Sequence, residues 1–125
     1  MILEGIQQIR QHLYQKFLGK LILATLTYAG TPPGIILARL PMTLADIGVL
    51  QDDEEPPQDR NQPSQLTLMG DIIESESALL APEVTLPLPE DDASVWAQAF
   101  GGDLMIHTAE GMELQVSILT KTLFQ

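Results

Sequence analysis

The chain opens on an apolar stripe. Ile2, Ile6, Ile9, Leu13 and Phe17 recur at spacings of four, three, four and four, with Gln7, Gln8, Arg10, Gln11 and Gln15 between them. That spacing is one face of an α-helix, and such a face is stable only when something covers it. Gly19 supplies a C-terminal stop, and Lys16 and Lys20 sit near the negative end of the helix dipole. The stripe therefore predicts an N-terminal amphipathic helix packed on the rest of the chain.

The following segments can provide that cover. Lys20 to Tyr28 is rich in β-branched and aliphatic residues, with apolar side chains on both faces, as a central strand has. The run Ala29-Gly-Thr-Pro-Pro-Gly34 predicts a turn. Ile35 to Leu40 predicts a second strand, ended by Pro41 and forming a hairpin with the first. Met42 to Leu50 suits a short helix or an irregular strand equally.

Gln51 to Gln65 holds no aliphatic residue, so it cannot bury enough apolar surface to offset its ordering entropy. It predicts a long, acidic, Pro- and Gln-rich surface loop, and loops of that length in a compact domain are usually functional or disordered. Leu66 to Glu74 reads as a strand with Gly70 as a bulge or point of close approach. Ser75 to Pro82 reads as a connection. Val84 to Leu88 reads as an edge strand, because Pro87 has no donor for a second neighbour.

Asp91 or Asp92 as a cap, the face Val95, Trp96, Ala99 and Phe100, and the stop Gly101-Gly102 predict a second, short helix. Asp103 to Thr108 and Met112 to Phe124 predict a hairpin across Ala109-Glu110-Gly111. Alternation in its second strand breaks at Leu119, predicting a bulge or a change of covered face there. The expected fold is α+β: a mostly antiparallel sheet carrying the N-terminal helix and the second short helix. With 125 residues, 45% of them hydrophobic, the chain reads as a single domain, 1–125. The order of elements is similar to that of small α+β subunits of bacteriophage tails, which assemble as rings. That resemblance implies a ring-forming structural subunit and transfers no residue, since no motif is shared.

Charge is distributed by region. Residues 1–45 hold Arg10, Lys16, Lys20 and Arg39 against Glu4, whereas residues 46–113 hold sixteen acids against Arg60, and the whole chain carries -11. That balance argues against a direct nucleic-acid binder, whose affinity comes from neutralising phosphates. It suits a solvated acidic surface, or a molecule whose two electrostatic ends dock a neighbour. The absence of Cys excludes disulfides, thiolate metal sites and cysteine nucleophiles. Nucleophile-elbow, dinucleotide, phosphate-loop and zinc-helix motifs are absent, and no catalytic or cofactor-binding residue is assigned.

Two acidic groupings have residue types that metal sites use. His107, Glu110 and Glu113 have helical spacing but fall on a strand, a turn and a strand, so they read as a solvated cross-strand pair. Asp52, Asp53, Glu54 and Glu55 run into Pro56-Pro57 without the alternation and glycine of a calcium loop. No metal site is assigned.

No run approaches the roughly 18 apolar residues of a membrane span, and the start lacks the pattern of a secretory signal. The expectation is a cytoplasmic protein, or one incorporated into an assembled particle. The function that fits best is a non-catalytic structural or adaptor subunit, acting through contacts with copies of itself or with another chain. The alternatives are an acidic inhibitor or nucleic-acid mimic, and a small-molecule-binding domain or minor enzyme. The candidate interaction residues are Asp52, Asp53, Glu54, Glu55, Trp96 and Phe100.

Overall fold

Gly5 interrupts the stripe that opens the chain. In the computed structural model its φ is 83°, a left-handed conformation open to glycine, and it turns the chain between two elements. Ile2–Glu4 before it is a short strand, β1, and Ile6–Lys16 after it is the helix α1. Ile6, Ile9, Leu13 and Phe17 are buried as the spacing predicts, but Ile2 belongs to the strand and is exposed. Gly19, also at φ 83°, turns the chain out of the helix and donates its N–H to Leu44 O at 2.8 Å.

The described residues are 1–30, 34–50, 64–71, 73–74, 79–80, 82–89 and 92–119. Asp52, Asp53, Glu54 and Glu55 lie outside them, as does nearly all of the loop expected over 51–65.

The remaining strands are β2 (Leu21–Tyr28), β3 (Ile35–Leu50), β4 (Gln65–Gly70), β5 (Ile73–Glu74), β6 (Leu79–Leu80), β7 (Glu83–Pro87), β8 (Val95–Phe100), β9 (Asp103–Thr108) and β10 (Met112–Ile118). Eight of them form one antiparallel sheet in the order β1-β8-β9-β10-β2-β3-β4-β7, and β5 and β6 pair separately. The sheet coils, bringing β7 against β10 and β2, while α1 lies against β1, β3 and β8. The core fills the enclosed space. Leu13 from the helix and Phe17 at its C-cap belong to one buried cluster with Ile22, Leu44, Ile106 and Leu114 from the strands.

The expectation of a two-helix α+β fold is overturned. Of the described residues, 63% are strand and 15% helical, with one α-helix among them. Asp92–Ser94 is a single 3-10 turn, and the segment expected as a second helix is β8. Six residues between Ser94 and Gly101 are too few to repay helix nucleation, and as a strand they gain hydrogen-bonded neighbours on both sides, β1 and β9. The apolar residues at 95, 96, 99 and 100 resembled a helix face because both faces of this strand carry apolar side chains.

Pro41 does not end a strand. Leu44 N–H donates to Lys20 O at 3.0 Å, which fixes the parity of the β2–β3 ladder: Met42 and Leu40 exchange bonds with β2, and Pro41, opposite Leu23, falls between them. Its nitrogen faces away from β2, where it has no strand neighbour among the described residues, so the missing donor costs nothing. Met42 to Leu50, ambiguous by sequence, continues the same strand with a register shift between Leu44 and Asp46. Opposite that shift lies Gly70, where a Cβ would stand 2.8 Å from Met42 Cβ and Pro82 Cγ, the close approach that the sequence suggested. Val84–Leu86 lies in the terminal strand of the sheet, as Pro87 implied. β10 keeps its register to its end, and Leu119 N–H extends the ladder to Leu21 O at 2.9 Å, so no bulge occurs there.

Candidate interaction surface

The pleat gives the sheet two unlike faces. The inner face carries Leu3, Ala97, Ile106, Leu114 and Leu26, all buried. On the outer face, register alignment lines up a row across six strands: Glu4, Trp96, His107, Glu113, Thr27 and Ile36. Within it the Trp96 and His107 rings stack, with centroids 5.5 Å apart and an interplanar angle of 19°. His107 Nδ1 lies 3.5 Å from Glu113 Oε2. These are the cross-strand contacts expected of adjacent side chains on one face. His107 and Glu113 therefore meet, while Glu110 stays in the turn between their strands, and no metal-ligating cluster of His, Asp or Glu occurs among the described residues.

Trp96 and Phe100 both project from β8, so they are four residues apart along one strand, not one turn apart on a helix. Trp96 is 37% exposed and Phe100 55%. Phe100 borders a cleft of about 340 Å³ between the end of α1 and the β8–β9 turn, which Phe17, Lys16, Lys20 and His12 also line. Burial, reinforced by the charge of Lys16, pushes the His12 pKa below its ordinary value. Arg10 lies over the Tyr14 ring, its Cζ 5.5 Å from the centroid. The Tyr14 hydroxyl lies 3.0 Å from Ile47 O, pinning the helix to β3.

Sequence reasoning missed the longest run of exposed large apolar side chains among the described residues. Ile35, Ile36 and Leu37 are 53%, 59% and 53% exposed, three consecutive large side chains at the start of β3. They protrude because β4 pairs with β3 only from Leu44 onward, leaving 35–42 with β2 alone among the described residues. Between the pairs Leu26–Ala38 and Thr27–Ile36 the ladder passes over Leu37, a bulge on β3 that shifts the register at this point. A signal was present in the sequence. Pro41, like Pro87, has no donor for a second neighbour and marks its strand as open on one side.

Comparison with protein-family models, with curated proteins and with solved structures finds no match. No helix of the described residues is long and apolar enough to cross a membrane.

Proposed function

We propose that this chain is a non-catalytic subunit or adaptor that works through contacts with other protein chains. One observation carries the reading: Ile35, Ile36 and Leu37 stand more than half exposed on a stretch of β3 that, among the described residues, is paired on one side only. Exposed apolar side chains are ordinary one at a time, but three consecutive ones on an open strand edge are a liability that a partner relieves. Trp96 and Phe100, aromatic and accessible on the same sheet, add the residue types that anchor interfaces.

Site-specific photo-crosslinking in the native extract tests this reading. A photoreactive side chain replacing Ile36 or Phe100 should give a discrete protein adduct, and one replacing exposed Gln11 should give none. Light scattering of the purified chain reports whether the adduct is a second copy. A monomer that gives no adduct at either position refutes the proposal.

A further inference from the structure

A sheet with open ends must protect them, and among the described residues this one protects both of its terminal strands. At one end β1 is only three residues long, and its outward Glu4 N–H is bonded by Gln8 Oε1 at 3.1 Å. At the other end Leu88 N–H donates to Ser64 O at 2.9 Å, so the even-numbered residues of β7 face β4 and the nitrogen of Pro87 faces out, without a donor. Charge, proline and short length are the usual means of blunting an edge.

Residues 35–41 of β3 have β2 on one side and, among the described residues, nothing paired on the other. Ladder parity turns the N–H and C=O of Arg39 away from β2, and beyond the bulge it does the same for Ile36, opposite Thr27. Two donor–acceptor sites therefore face outward, bounded at the far end by Pro41. On the inner face Ala38 and Leu40 are only partly buried against the core. On the outer face stands Arg39, exposed and without an ion pair among the described residues.

We infer that the open edge of β3 receives an extended segment of another protein as an added strand, one that alternates apolar and acidic residues. The inference rests on the adaptor reading and specifies its mode of contact. Main-chain hydrogen bonds to Ile36 and Arg39 supply affinity, and alternate side chains supply selectivity. Apolar side chains of the segment fall on the inner face beside Ala38 and Leu40. Acidic ones fall on the outer face beside Arg39, the only charge among residues 35–41.

A second copy of the chain fits this edge poorly. Ile35, Ile36 and Leu37 expose about 300 Å² of side chain, well below the roughly 800 Å² per partner of a stable interface.

The test uses the full-length ¹⁵N-labelled chain and two synthetic peptides, one alternating valine with glutamate and one alternating valine with lysine. The glutamate peptide should protect the Ile36 and Arg39 amides from exchange and bind about tenfold more tightly than the lysine peptide. Arg39→Pro removes the outward donor and should weaken binding about tenfold. Arg39→Gln keeps that donor and should abolish only the preference for glutamate. Methylating the backbone nitrogens of the glutamate peptide removes its donors without altering the protein, and should weaken binding likewise even if Arg39→Pro fails to fold.

Several results overturn the inference. Equal affinity for the two peptides removes the acidic partner. Binding that survives both Arg39→Pro and peptide methylation but is lost in Ile36→Ser means side-chain docking without strand addition, and leaves the adaptor reading standing. A dimer of the chain that Arg39→Pro dissociates makes a second copy the occupant. No protection by either peptide removes the added strand, while the crosslinking at Ile36 and Phe100 judges the adaptor reading separately.

Discussion

Truncating Leu13 tests whether α1 is part of the core or a detachable arm. Leu13 is fully buried, and its helix lies against β1, β3 and β8. Leu13→Ala deletes three carbons, which at about 0.8 kcal/mol each loses about 2.4 kcal/mol of transfer free energy. The surrounding strands are held in register by their ladders, so the space closes poorly. A residual void of roughly 50 Å³, at about 24 cal/mol per Å³, adds about 1.2 kcal/mol. The expected loss is therefore about 3–4 kcal/mol, a large share of the stability of a domain this size. Urea unfolding followed by far-UV circular dichroism should show a lower midpoint at unchanged slope. Gln11→Ala, on the exposed side of the same helix, should stay within about 0.5 kcal/mol of the parent. A Leu13→Ala loss below about 1.5 kcal/mol would refute the reasoning, because it would mean that the sheet does not depend on the helix for cover.

Three further outcomes follow from particular contacts. Gly111→Ala should destabilise by about 2 kcal/mol or more, since φ is +92° and the new Cβ would stand 2.9 Å from Gly30 Cα, whereas Gly102→Ala, with open space around it, should be near neutral; equal unfolding midpoints for the two would contradict this. Tyr14→Phe removes the hydroxyl from Ile47 O and should lose about 1 kcal/mol in the same assay, and no loss would show that the bond is replaced by water. His12 has a folded-state pKa held below 6.5 by burial and by Lys16, so the unfolded chain binds its proton more readily and stability should fall as pH drops through about 6.5. His12→Gln should flatten that dependence, and urea midpoints with the same pH slope as the parent would rule the effect out.

What could be read in the sequence was whatever depends on neighbours along the chain. The period of Ile6, Ile9, Leu13 and Phe17 fixes a helix face, because side chains three and four apart share one side. Lys20 to Tyr28, Leu66 to Gly70 and the hairpin around Gly111 could be recognised from composition and turn residues. Pro87 disclosed an edge because a missing donor is a covalent fact.

Position in the sheet was decided by tertiary structure alone. Whether residues 95–100 become helix or strand depends on β1 and β9 being present to pair with them, and one of these lies more than 90 residues away in sequence. Trp96 meets His107, and His107 meets Glu113, only through the register of three strands. The exposure of Ile35, Ile36 and Leu37 arises because β4 starts its pairing at Leu44, and their own residue types indicate the opposite. Local propensity describes what a segment prefers by itself. A ladder joins segments distant in sequence, so the surface it leaves uncovered, on which the proposed function rests, exists only once the sheet has formed.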